Sequence, residues 1–358
     1  MNETEITMND ANAAEGLEGI TLDTGWIVLE KIQKPPGATG SFFSVCYKVQ
    51  KGDDVCFLKA FNFAKFLQLS KGTAKQVVDV ISEMLDAYKY ERDLSFMCRD
   101  KHVTKVVIVK DYGEQFVQGY PITVVPYLIF DLADEDVRSK LRFTERLDVA
   151  WKLKSLHSVA TGLRQLHAVD VSHQDLKPSN VLLFHDESKI GDLGRSTCLS
   201  LDSPHKNEPF AGDYNYAPPE ILYGDYESDW RKRSYAADCY LFGGLIVFYF
   251  AGITMNALLR KHIADKLSWE YYRGSFDDVK AYLLDAFSKA LVEFETCFEE
   301  DGLIKQELRI LVEYLCYPLP EKRGHPKGIG SSSNQYNMER IISKLDYLHK
   351  KAKYELSH

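Results

Sequence analysis

Eight consecutive residues, His173-Gln174-Asp175-Leu176-Lys177-Pro178-Ser179-Asn180, carry groups suited to moving a phosphoryl group. Asp175 can orient a hydroxyl and accept its proton. Lys177, two residues on, can hold the negative charge that travels with the phosphoryl group, and Asn180 can offer a carbonyl oxygen to Mg2+. An amphipathic pattern precedes the stretch and the apolar run Val181-Leu182-Leu183-Phe184 follows it, so it reads as a loop held between a helix and a strand. A polar loop with one aspartate is most often simply solvated. The eight residues together are far more specific.

The elements that must position this loop can be read in order. Residues 25–61 give three strands: 26–29, 42–49 and 55–61, the last carrying Lys59 among apolar neighbours. Between the first two lies Gly37-Ala38-Thr39-Gly40-Ser41, where glycines let backbone N–H groups approach a phosphate, although with only two glycines a plain hairpin turn is the better reading of these residues alone. Residues 74–100 form a helix with Val77, Ile81, Met84 and Tyr88 on one stripe, which Glu91 continues. A carboxylate on that face needs a cationic partner, and Lys59 is the candidate. Residues 103–109 and 122–132 read as two further strands, and residues 147–167 as an amphipathic helix leading into the loop. After Asn180 a hairpin, 181–184 and 188–190, runs into Gly191-Asp192-Leu193-Gly194.

In this order the pieces resemble the eukaryotic-like protein kinase family, stand-alone prokaryotic branches included, over residues 25–323. The resemblance implies an α+β bilobal fold: a small β-rich N-lobe with one long helix, a larger, mainly helical C-lobe, and ATP in the cleft between them. It assigns catalysis to Asp175, Lys177 and Asn180, and Mg2+ to Asn180 and Asp192. Gly37, Gly40 and Ser41 would cover the nucleotide, with Val45 over the adenine, although Ala38 and Phe43 stand where further glycines are usual. Lys59, paired with Glu91, would meet the phosphates. The backbone from Asp131 to Ala133 would meet the adenine edge, with Phe130 behind the pocket and Asp136 near the ribose. Glu220, in Ala217-Pro218-Pro219-Glu220, would be buried against Arg323. Asp238 would hold the catalytic loop from below.

Lys177 points within the family to serine/threonine kinases acting on a protein substrate. Two alternatives stay open: a kinase-fold phosphotransferase for small molecules, and a catalytically silent scaffold. Two departures bear on regulation. Gln174 stands where many switchable members carry an arginine that receives a phosphate. Asp213 stands where threonine is usual, and either pairs with Lys177 or caps a turn. Together they imply activity as synthesised, with no requirement for phosphate on Ser196, Thr197, Ser200 or Ser203.

Composition sets the remaining bounds. A net charge of −8 and a pI near 5.7 argue against nucleic-acid binding, which rests on basic patches. Seven scattered cysteines without a Cys-x-x-Cys pair suit free thiols in a reducing, cytoplasmic setting. Residues 241–259 contain no charge and are long enough to span a bilayer, and hydropathy alone allows a buried helix equally; the resemblance, which sets Asp238 beneath the catalytic loop, implies the centre of a lobe and not a membrane. Residues 1–19, acidic and without an apolar core, read as a disordered arm and not as a secretory signal. The expected divisions are an N-lobe over 20–132, a C-lobe over 133–333 ending in a Gly/Ser-rich linker, and an amphipathic helix within 334–358. That helix, with Met338, Ile341, Leu345, Leu348 and Ala352 on one stripe, would dock on its own lobe or on a partner.

Overall fold

The computed structural model describes residues 12–33, 44–70, 75–143, 148–185, 187–298, 302–330 and 335–356. They divide into two compact units. Residues up to His102, with Val107–Ala133 and Leu201–Pro204, form the first; Val103–Val106, Asp134–Ser200 and the residues from His205 onward form the second.

The first unit is built on an antiparallel sheet of β1 (Ile27–Lys31), β2 (Ser44–Lys51), β3 (Asp54–Phe61), β4 (Val109–Phe116) and β5 (Val124–Asp131), in the order β1-β2-β3-β5-β4. Gly52 takes a positive φ of 62°, as the two-residue hairpin between β2 and β3 demands. Two helices follow β3: α1 (Phe63–Ser70), which sequence patterning does not reveal, and α2 (Val77–Asp100). On α2 the buried phase runs through Val80, Met84, Tyr88, Glu91 and Leu94, while Val77 is 59% exposed and lies off it.

Two expectations for this unit are corrected. The fourth strand is Val109–Phe116, not 103–109. As an edge strand it buries only every second residue or fewer, so Lys110, Asp111 and Glu114 disguise it, whereas the valines just before it are buried outside the ladder. Residues 12–19 are not a disordered arm. Ala13, Ala14 and Leu17 are buried, together with Leu22 and Trp26, against the sheet face formed by Val45, Tyr47, Val49, Leu58, Ala60, Tyr127 and Ile129. The Tyr47 hydroxyl donates to the Ala14 carbonyl at 2.7 Å, and the Trp26 indole N–H donates to Asp111 at 2.8 Å. A fully buried leucine such as Leu17 contributes roughly 1.5–3 kcal/mol.

The second unit is mainly helical. It opens with β6 (Glu135–Asp136), α3 (Val137–Phe143) and α4 (Val149–His167), the last N-capped by Asp148. Then come β7 (Val171–Ser172), the hairpin β8 (Val181–Phe184) and β9 (Glu187–Ile190), and β10 (Thr197–Cys198), which pairs with β7. The rest is helix: α5 (Pro219–Leu222), α6 (Trp230–Ala251), α7 (Met255–His262), α8 (Phe276–Glu295), α9 (Leu303–Leu315) and α10 (Glu339–Leu356). The uncharged run 241–259 is therefore not one helix. Gly252, at φ 71°, ends α6, and Thr254 caps α7. Among the described residues α6 alone is long and apolar enough to cross a membrane, and 72% of that stretch is buried inside the protein. Gly243 lets α6 approach the end of α9, since a Cβ there would stand 2.5 Å from the Cys316 sulfur. Helix α10 packs along α4, with its apolar stripe buried and the His349 Nδ1–H donating to the Ala150 carbonyl at 2.8 Å.

Candidate active site

Asp175, Lys177 and Asn180 converge within the second unit. Pro178 opens a single 3-10 turn, Pro178–Asn180, whose fixed φ brings Asn180 back toward Asp175. The Asn180 amide nitrogen donates to the Asp175 carbonyl at 2.8 Å and to its carboxylate at 3.0 Å. Lys177 Nζ lies 3.0 and 3.1 Å from the two Asp175 oxygens. All three residues are buried, and the carboxylate also accepts the Asp213 backbone N–H at 2.9 Å. Asp213 meets both of its expected readings. One oxygen lies 3.6 Å from Lys177 Nζ, and the other accepts the Asn215 backbone and side-chain N–H groups at 3.0 Å.

Asp238, wholly buried on α6, holds the loop from beneath. It accepts the backbone N–H groups of His173 (3.0 Å) and Gln174 (2.7 Å), the Ser172 hydroxyl (2.9 Å) and His167 Nε2 (2.8 Å). Burial pushes its pKa up, but His167 and the loop amides outweigh that and hold it below the usual aspartate value. His173 Nε2–H in turn donates to the Gly191 carbonyl at 3.0 Å, joining the loop to the residue before Asp192.

Asp192 sits on a left-handed backbone, φ 59°, at the end of the β8–β9 hairpin. The Gly191 N–H donates to the Asn180 carbonyl at 2.8 Å, so Asn180 and Asp192 stand on adjoining stretches of chain. The Asn180 amide nitrogen donates to Asp175, which leaves its side-chain oxygen to serve as a ligand. A carboxylate and an amide oxygen suit a hard cation such as Mg2+. Among the described residues no three or more His, Cys, Asp or Glu cluster as metal ligands.

In the first unit, Lys59 of β3 and Glu91 of α2 form a two-pronged ion pair at 2.8 and 2.9 Å, with Glu91 3% exposed. Lys59 is directly opposite Cys46 on β2 and Leu128 on β5. Val45 is opposite Ala60, so it lies on the other face of the sheet, in the core beneath Ala14 and Leu17. The placing of Val45 over an adenine beside Lys59 is corrected accordingly. Cys46 and Phe57 share the Lys59 face, where Phe57 meets Phe130 at a ring separation of 6.3 Å. Asp131 ends β5 with its side chain toward Lys110, and Ala133 is the last residue of that stretch of the unit. Asp136, in the second unit, accepts the Ser139 N–H and hydroxyl at 2.9 and 3.1 Å, so its carboxylate already serves α3. Gly37, Gly40 and Ser41 lie outside the described residues.

Glu220 and Arg323 meet across 103 residues through two parallel 2.7 Å bonds, with the arginine wholly buried. Burial works against the guanidinium charge, yet Glu220 raises its pKa above the usual value. Its remaining N–H groups reach the Tyr317 and Ala236 carbonyls at 2.9 and 3.0 Å. Two supports escaped the sequence reading. His167 supports Asp238, and Asn256 of α7 donates to the Asn215 and Ala217 carbonyls at 3.0 Å. An asparagine within an uncharged run was the signal, because a buried carboxamide must find partners.

The protein kinase domain matches residues 74–329, more than half of the chain, and the chain belongs to that family. It is similar to cysteine-rich receptor-like protein kinase 42 of Arabidopsis thaliana, 31% identical over 204 residues, covering 55% of this chain and 29% of that protein. It is 33% identical over 123 residues to a probable serine/threonine-protein kinase of Encephalitozoon cuniculi, covering 34% and 21% respectively. Mitogen-activated protein kinase 5 of Arabidopsis thaliana is 28% identical over 154 residues, covering 41% and 38%. The matches thus span well under half the length of these relatives.

Proposed function

We propose that the protein is an ATP- and Mg2+-dependent serine/threonine kinase that transfers the γ-phosphoryl group to a hydroxyl of a protein substrate. The observation that carries this reading is the Asp175 carboxylate, held at about hydrogen-bond distance by Lys177, Asn180 and the Asp213 amide. Asp175 orients the acceptor hydroxyl and takes its proton as the new P–O bond forms to the γ-phosphorus and the bond from that phosphorus to the β,γ-bridging oxygen breaks, with ADP leaving. Lys177, already beside that carboxylate, turns to the transferred phosphoryl oxygens. Lys59, fixed by Glu91, meets the α- and β-phosphates. Asn180 and Asp192 would hold Mg2+, which neutralises charge on the β- and γ-phosphates. Lys177 favours serine and threonine as acceptors, in line with the serine/threonine kinase among its relatives. The free cysteines suit a cytoplasmic protein, and α10 serves its own unit by packing on α4.

The test is transfer of labelled phosphate from ATP to a panel of protein substrates, followed by mapping of the labelled residues. Label on serine or threonine is expected, and Asp192→Ala should lower the rate by about a thousandfold or more while leaving the melting curve in place. Mg-ATP binding without transfer to any protein would instead favour a silent scaffold.

A further inference from the structure

The Gln174 carboxamide touches three separate stretches of the second unit. It is 3% exposed, on a left-handed backbone with φ 57°. Its Nε2 donates to the Thr197 hydroxyl at 2.6 Å and the Ser234 hydroxyl at 3.1 Å, and its Oε1 accepts the Ala211 backbone N–H at 2.9 Å. Two residues beyond Ala211, the Asp213 N–H reaches the Asp175 carboxylate. Gly212, between them, lies so close that a Cβ there would stand 2.0 Å from the Gln174 carbonyl oxygen. Residues 211–213 thus run beside 174–175 with two rungs, each a side-chain oxygen of one stretch meeting a backbone N–H of the other.

Thr197 closes the opposite flank. It is 3% exposed, and its oxygen also accepts the Trp230 indole N–H at 3.1 Å. The carboxamide's own partners, two hydroxyls and a peptide N–H, are neutral and do not titrate; carboxylates enter only through the backbone, Asp238 accepting the Gln174 N–H at 2.7 Å and Asp175 the Asp213 N–H at 2.9 Å. A left-handed conformation is unfavourable for glutamine and persists only where its surroundings over-determine it. Here that backbone aims the carboxamide at Thr197 and Ala211 together.

We propose that Gln174 is a positioning residue, a neutral clasp that fixes the chain at Thr197 and at Ala211 and so sets the Asp213 amide on Asp175. The proposal rests on the kinase reading and extends it: the catalytic carboxylate is oriented by a lock complete on folding, without an added charge. A buried glutamine that merely satisfied its own polar atoms would affect stability alone. A clasp also governs the exchange of two particular amides and the chemical step.

The experiment is Gln174→Met, which keeps the side-chain length and removes every donor and acceptor. Hydrogen exchange at the Ala211 and Asp213 amides should accelerate by about tenfold or more, with the α9 amides unchanged. kcat should fall by about tenfold while KM for ATP stays within about twofold. Thr197→Val, which removes the shared acceptor, should move the same two amides by a smaller factor, and it decides the matter if Gln174→Met does not fold. Wild-type exchange at Ala211 and Asp213 in the folded variant would overturn the clasp. Faster exchange at both amides in a protein whose wild type transfers no phosphate would uphold the clasp and remove the kinase reading.

Discussion

The second unit draws its polar side chains from one short stretch of chain and secures that stretch with residues far away in sequence. Asp175, Lys177 and Asn180 lie within one loop, and single buried polar residues, Asp238 and Gln174, secure that loop's amides and flanks. The first unit works differently. Lys59 and Glu91 come together from 32 residues apart, and the sheet that carries Lys59 depends on residues 13–26 to cover its far face. The family match begins at residue 74, beyond β3, so it too leaves out the part built from distant apolar contacts. Catalytic groups need particular atoms at particular offsets and therefore leave a readable sequence. A sheet needs only apolar surface on the correct side, which many sequences supply.

That contrast can be broken or sharpened by measurement. The largest effect is expected for Arg323→Ala. It strands Glu220, 6% exposed at its side chain, and should cost about 3–5 kcal/mol in denaturant unfolding. A loss of only about 1 kcal/mol, typical of a surface pair, would remove the buried tie from the second unit.

Leu17→Ala comes next, at about 2–4 kcal/mol, because the leucine is fully buried beneath the sheet. Trp26, the one tryptophan of the first unit, can report it by fluorescence. A neutral result would make the covering segment an accessory and bring the two units closer in kind.

Acid should separate the units more gently. The folded pKa of Asp238 lies below its ordinary value of 3.8, so the unfolded chain takes up that proton first as pH falls. Its contribution is complete above about pH 5 and is lost as pH drops through 3.8 toward the folded value, with a slope of at most about 1.4 kcal/mol per pH unit. Unfolding measured between pH 5 and 3 should show a shallower loss in Asp238→Asn than in the wild type. Equal slopes would mean that Asp238 does not carry its charge beneath the loop.

The smallest effect expected is none at all. Stripping the protein with a phosphatase, then removing the phosphatase, should leave the initial rate unchanged. A large drop, restored after a lag by autophosphorylation, would show that the second unit needs a charge its neutral contacts do not supply.

Several pairings followed from the amino-acid sequence by itself. Glu91 could be assigned to Lys59 because a carboxylate on an apolar helical stripe needs a cation, and Glu220 to Arg323 on the resemblance. Asp213 was open to both of its observed contacts. These are questions of residue type and local period. Tertiary structure alone decided the rest. Val45 and Lys59 are both strand residues, but their faces depend on the β2–β3 register, in which Val45 meets Ala60 and Cys46 meets Lys59. A shift of one residue would reverse the assignment. Residues 12–19 read as a polar arm until a sheet face exists to bury Ala13, Ala14 and Leu17. The edge strand Val109–Phe116 is defined by its partner β5 more than by its own pattern. Gln174 showed in the sequence only as a missing arginine. Its three contacts come from residues 23, 37 and 60 positions away, and no local propensity encodes a meeting at that range.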